Sequence, residues 1–394
     1  MKHIRIRAGS RHGLAFLTAL GSTCAWATNG AQLGGYGIEN AMMGGTSIAL
    51  PLDTVAAANN PAGMAYVPNM TDIGVQLFHG QSSADYVLPG NTLHNDTTLP
   101  APEGGVNWAW GNDKTFGITV AGLGVSADYQ HAALPVPGAE NAKSSLRAVD
   151  VIPSVTWRPR PDVALGVGLD LSYEQFHAQG VIVPAPVPGG LMPLPDHGTQ
   201  SATGASVRLG VLWQVSDQFH VGAAYKSLAR MSALSGYKDD LLAYSSGRID
   251  IPAQYGLGIA YTPIASVTLA ADWLDVQWHG VRLMQDPNGF NWRNQNIYRA
   301  GVAWDVNAAW TLRAGFSTSD EQVPTDHLAA NLLTPSINHR AYTTGVSVRI
   351  DPKSKLSLGY ELDPRTTLQG TGSSQSVSLT SKIQLLMAGY QRAF

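Results

Sequence analysis

From about residue 70 onward, hydrophobic and polar positions alternate with a period of two, the spacing at which successive side chains of a strand point to opposite faces. Between Val163 and Glu174, one face carries Val163, Leu165, Val167, Leu169, Leu171 and Tyr173, and the other Ala164, Gly166, Gly168, Asp170, Ser172 and Glu174. One face therefore meets something apolar and the other does not. Fourteen such segments are predicted, at 70–79, 103–111, 115–124, 147–157, 162–175, 203–214, 218–227, 247–262, 266–279, 296–305, 309–318, 341–350, 355–363 and 382–394. Six of the connections between them are tight and seven are long. An even number of strands, with short turns on one rim and long loops on the other, predicts an all-β fold: a 14-stranded antiparallel transmembrane β-barrel. Aromatic residues sit at the ends of the apolar faces, where an interfacial girdle would lie. A soluble sandwich or propeller would not sort its loop lengths this way.

The first residues change the picture. Lys2, Arg5, Arg7 and Arg11 precede a mostly apolar stretch, 13–24, and Ala25-Trp26-Ala27 provides a small-x-small cleavage site. Residues 1–27 are expected to be a signal peptide, which points to the bacterial outer membrane once it is removed. The one cysteine, Cys24, would leave with it, so neither a disulfide nor a thiolate metal site is expected. Beyond residue 30 there is no apolar run of 18, so a helical membrane protein is not expected. Charged residues are 13% of the chain and the net charge is −3, made more negative by loss of the basic leader, which argues against nucleic acid as a partner.

One stretch breaks the alternation. "TVAAANNPAGMAY", Thr54 to Tyr66, has neither helical nor strand period. It ends the longer segment "NGAQLGGYGIENAMMGGTSIALPLDTVAAANNPAGMAYV", Asn29 to Val67, which carries Gly44-Gly45-Thr46, an acid at Asp53 and the triplet Asn60-Pro61-Ala62. In this order, and before fourteen strands, the segment resembles the N-terminal hatch of the FadL family of outer-membrane long-chain fatty acid and hydrocarbon transport proteins. The resemblance implies that residues 28–69 plug the lumen of a barrel formed by 70–394. It further implies capture of a hydrophobic molecule by outer loops, a pocket in the lumen, hatch movement on binding, and lateral exit where the third strand bends.

Residues of the chain can be set against each of these steps. The long loop containing Val181, Ile182, Val183, Leu191, Met192 and Leu194 is apolar and proline-rich, unusual for a water-facing segment, and apolar surface patches mark binding. The next long loop has Leu228, Met231 and Leu234 at helical spacing. Arg208, Lys226, Arg248 and Arg299, with Arg147 beside them, lie on predicted polar faces and are candidates to bind a carboxylate head group, although lumen ion pairs would use the same residues. Gly122 and Gly124 in the third strand are candidates for a bend that opens the wall.

No Gly-x-Ser-x-Gly elbow, His-Glu-x-x-His helix or phosphate loop is present, and no enzyme activity or cofactor is expected. The expected function is passive uptake of hydrophobic small molecules by a monomer in contact with outer-membrane lipid. Long-chain fatty acids are the first expectation; aromatic hydrocarbons, or a general porin, are the alternatives.

Overall fold

A computed structural model describes residues 34–394; the expected signal segment, 1–27, lies outside the described residues. Fourteen antiparallel strands form the wall: β1 (Met70–Tyr86), β2 (Thr92–Trp110), β3 (Lys114–Asp128), β4 (Lys143–Arg160), β5 (Val163–Gln179), β6 (Gln200–Ser216) and β7 (Phe219–Lys226). The second half comprises β8 (Gln254–Ile264), β9 (Val267–Val276), β10 (Gln295–Asp305), β11 (Trp310–Ser319), β12 (Arg340–Asp351), β13 (Ser354–Gln369) and β14 (Val377–Ala393). Each strand pairs with its chain neighbours, and β1 pairs with β14 from Met70↔Ala393 to Tyr86↔Val377, so the sheet closes on itself. Closure matters in lipid, because an open edge would leave backbone groups with no partner.

The alternation read from the sequence is inside out relative to a soluble protein. On β5 the apolar Leu165, Val167, Leu169, Leu171 and Tyr173 are exposed, while Ala164, Gly166, Gly168, Asp170, Ser172 and Glu174 are buried. The exposed apolar face is the lipid-facing band of a membrane barrel. Trp110, Trp157, Trp213, Trp304 and Trp310 stand exposed beside the short-turn rim, and Tyr173, Tyr255, Tyr298 and Tyr342 toward the long-loop rim. Two aromatic girdles therefore bound the band. No helix among the described residues is long and apolar enough to cross a membrane; the strands cross instead.

All fourteen predicted segments are strands, but the ends differ from expectation. The first two continue to Tyr86 and from Thr92, joined by a five-residue turn, so one expected long loop is a turn on a long hairpin. Above the bilayer both faces of a strand meet water, so the hydrophobic period vanishes while ladder pairs such as Ser82↔Asn95 persist. The predicted segment 247–262 begins only at Gln254; Arg248 is on the preceding loop, not on a strand face.

Residues 34–67 lie against the lumen-facing side of the wall and are almost wholly buried. A single helical turn, Ile38–Ala41, is followed by two short 3-10 turns, Thr54–Ala58 and Pro61–Tyr66. Gly44 and Gly45 have φ of 70° and 83°, a left-handed conformation open to glycine at little cost. Small residues of the wall make room for this segment. A Cβ at Gly315 on β11 would overlap the backbone of Met43 and Gly44.

Gly315→Leu should therefore displace residues 34–67 while the wall still forms. Limited proteolysis should cut near Met43 in the variant only, and the heat-dependent shift in gel mobility typical of a folded barrel should remain. A variant as well protected as the wild type would show that the segment is not packed there.

Candidate functional site

The N-terminal segment is held by bonds to the wall around much of its circumference. Thr119 on β3 donates to Thr54 O at 2.6 Å, and Thr156 on β4 donates to Pro61 O at 2.7 Å. Asn107 on β2 donates to Val67 O at 2.7 Å. Across the lumen, Asp272 on β9 accepts from Ser47 N at 2.7 Å and Ile48 N at 3.1 Å, Thr343 on β12 accepts from Gly44 N at 2.8 Å, and Arg299 on β10 donates to Gly45 O at 3.1 Å. Glu39 sits between Arg313 on β11 and Lys355 on β13, the latter 2.5 Å away. Burial alone would raise the Glu39 carboxyl, but the two cations outweigh it and hold it below the usual range. Asp53 behaves oppositely: burial, then the nearby Asp72 and Glu103, push its carboxyl well above the usual range.

The triplet Asn60-Pro61-Ala62 makes several of these attachments at once. Asn60 caps the second 3-10 turn by accepting from Ala62 N at 3.0 Å, and Pro61 occupies the first position, where its missing N–H costs nothing. The Asn60 amide donates to Ile48 O at 2.7 Å and to Val211 O on β6 at 3.0 Å. It thus ties one part of the segment to another and both to the wall. Gly210, which β6 presents to Asn60, has no space for a Cβ.

Above this segment and below the long loops lies a cavity of about 220 Å³. Its lining is mostly apolar, with Leu146, Phe176, Trp278, Phe290, Trp292 and Leu332 prominent. Trp278 and Trp292 meet edge to face at 5.0 Å between ring centres. Of the expected capture residues, Val181 and Ile182 line the cavity, whereas Leu191 and Met192 are exposed on a small ribbon in which Ile182–Pro184 pairs with Leu191–Pro193. Val183 and Leu194 on or beside that ribbon are half-buried. Met231 and Leu234 are buried in the loop core and Leu228 packs against it. Their helical spacing does not make a helix, because Arg230–Met231 extends the sheet by pairing with Ala205 and Gly204.

Three of the four candidate cations, Arg208, Lys226 and Arg299, are already committed. Arg208 on β6 is 2.8 Å from Asp170 and also donates to Ala58 O in the N-terminal segment; Lys226 on β7 is 3.3 Å from Asp150 and 3.2 Å from Asp170. Two cations and two aspartates form one buried, balanced network, and of these four only Lys226 lines the cavity. Arg299 holds Gly45, and Arg248 is exposed on its loop. The sequence reading singled out the cations and missed their partners. Asp170 was already visible on the polar face of its strand, at the same parity as Glu174, which also lines the cavity.

The wall has one discontinuous seam. The β2–β3 ladder runs from Trp110↔Lys114 to Glu103↔Ala121 and stops, although β2 stays paired with β1 up to Thr92↔Asp85 and β3 with β4 up to Asp128↔Lys143. Among the described residues no ladder joins Thr92–Pro102 to Gly122–Asp128. Gly122 and Gly124 lie in this stretch, Pro100 and Pro102 opposite have no N–H to pair, and Leu123 lines the cavity. At the top, Asp128 N donates to the Asn95 side chain at 2.9 Å.

A closed fourteen-strand barrel with two aromatic girdles, a lumen occupied by its own N-terminal segment and an apolar cavity under its loops defines an outer-membrane protein of the plugged-channel class. A family model described as outer membrane protein transport protein (OMPP1/FadL/TodX) matches residues 14–388, and the chain belongs to that family. In fold it is similar to the toluene transporter TodX of P. putida, with 19% identity over 92% of this chain and 99% of that one and a TM-score of 0.71. It is equally similar to a FadL homologue of Pseudomonas aeruginosa, with 16% identity, 95% and 100% coverage and a TM-score of 0.71. For the Ralstonia pickettii toluene transporter TbuX the values are 19%, 92%, 99% and 0.66. A curated relative, an uncharacterized protein in the phosphoenolpyruvate carboxykinase gene 5′ region of Chlorobium limicola, is 36% identical over 99 residues, 24% of this chain and about half (48%) of that protein's length.

Asn60→Ala removes the cap and strands the buried carbonyl of Ile48, which should cost the N-terminal segment about 2–3 kcal/mol of local stability. Hydrogen exchange of residues 44–66 should accelerate while exchange of β1 and β14 stays slow. Unchanged exchange would reduce the triplet to a connector.

Proposed function

We propose that this chain takes up small, neutral hydrophobic compounds across the outer membrane, passively, through the cavity beneath its loops. The observation that carries the choice of a neutral cargo is the pairing of Arg208 and Lys226 with Asp150 and Asp170. A carboxylate entering the cavity would find its cation already balanced, with Glu174 and Asp250 in the same lining. Reading the sequence alone favours a fatty acid; the paired cations and the compact cavity favour a single-ring compound. An apolar cavity of about 150 Å³ already admits benzene, and this one is about 220 Å³.

The steps follow from where apolar surface is exposed and where it is buried. The exposed ribbon tip with Val187, Leu191 and Met192 offers a first contact. Transfer into the cavity removes the ligand from water at about 0.8 kcal/mol per methylene-sized group, enough for six or seven carbons to bind after ordering costs. From Leu123 the lower end of the unpaired seam, where Pro100 and Pro102 lie beside the lipid-facing Leu77 and Val75 of β1, supplies a sideways route to lipid that avoids the occupied lumen below. A general porin fits poorly with residues 34–67 filling that lumen and bonded to so many strands.

The test is competition binding of labelled toluene and labelled laurate to the purified barrel. Toluene should bind and laurate should compete weakly; binding of neither would remove the uptake reading, and tighter binding of laurate would restore the fatty acid. Asp170→Asn should reverse the preference, since freeing a cation should raise laurate affinity about tenfold, equivalent to about 1.4 kcal/mol. No gain of laurate binding in a variant that keeps its heat-shifted mobility would show that the network does not exclude acids.

A further inference from the structure

We propose that Glu174 reads a hydroxyl group on the ligand, so that the cavity's preferred class is single-ring phenols rather than bare hydrocarbons. The inference rests on the uptake reading above and refines it. Glu174 is 1% exposed and lines the cavity, yet its Oε1 has no hydrogen-bond partner among the described residues. Its neighbours are already committed. Lys226 is held by Asp150 and Asp170, and Asp250 Oδ1 accepts from Met231 N at 2.8 Å. The wall thus holds Glu174 in an apolar chamber without giving it a partner.

A second polar atom in the same lining is in the same state. Thr334 Oγ1, presented by the loop between β11 and β12, is buried and also lacks a partner. A carboxyl that lacks a partner accepts; a threonine hydroxyl can donate. A hydroxyl on the ligand suits this lining, because its proton can go to Glu174 while its lone pairs stay open to a donor, Thr334 or a bridging water. An ammonium would bring a full positive charge out of water beside Lys226, a bare hydrocarbon would leave both unmet, and a carboxylate would set its charge against Glu174 and Asp250. Phe176, Trp278, Phe290 and Trp292 around the same space present ring faces and edges that suit an aromatic body.

The experiment compares p-cresol, p-xylene and p-toluate, three rings of similar size, as competitors for binding to the full barrel. The wild type should prefer p-cresol over p-xylene by about tenfold or more, with p-toluate weakest. Glu174→Leu should abolish that preference, weakening p-cresol and tightening p-xylene, whereas Glu174→Gln, which keeps an acceptor, should retain it. Thr334→Val should weaken p-cresol several-fold, and serves if the leucine variant fails to assemble. The same cresol-to-xylene ratio in the wild type and in Glu174→Leu, or no preference in the wild type, would overturn the proposal while leaving hydrocarbon uptake standing. If neither ring compound binds the wild type, the uptake reading fails and this inference fails with it.

Discussion

A chain segment with little regular structure, enclosed in a barrel, can satisfy its backbone only through the side chains around it. Residues 34–67 have one helical turn and two 3-10 turns, too little to pair their own N–H and C=O groups. Asn107, Thr119, Thr156, Asp272, Thr343 and Arg299 supply the missing partners. The polar faces of the strands are therefore a complement to one particular segment rather than a generic water-filled lining. The same requirement dictates where the wall carries glycine, since a backbone can be reached by hydrogen bonds only if it comes close.

Charge inside the lumen obeys a related constraint. Buried ions persist where an opposite charge and hydrogen bonds compensate the loss of water. Glu39 has Arg313 and Lys355; Arg208 and Lys226 have Asp150 and Asp170. The second network also reaches the N-terminal segment through Arg208 and Ala58 O. It links the cavity floor, through Lys226, to the segment that occupies the lumen. Any ligand that disturbs Lys226 acts on the same ions that hold Ala58.

The wall was legible in the sequence because lipid imposes a strict period on every strand that crosses it. Trp157, Leu165 and Tyr298 announce their orientation without reference to any distant residue. The aqueous continuations of β1 and β2 carry no such signal, and Arg248 was misplaced on a strand for the same reason: outside the bilayer, alternation stops reporting pairing. The site was legible only in part. Arg208 and Lys226 stand out by charge, but that they are spent on Asp150 and Asp170 depends on the register of four successive strands, Arg208↔Lys226 and Asp170↔Ser206 among the pairs, which alternation does not report. Thr334 sits in a loop whose sequence shows no period at all, and its place beside the cavity is a fact of loop packing alone.

The unpaired stretch between β2 and β3 makes the barrel mechanically uneven. Elsewhere, parting two strands breaks a ladder in surroundings that offer no water to replace it, a penalty of several kcal/mol for each orphaned group. Along Pro100 and Pro102 two of those donors do not exist, and Gly122 and Gly124 place no side chain in the gap. Thermal fluctuation of the wall is thus concentrated at one azimuth, and the lipid molecules packed against that side meet a surface softer than the rest.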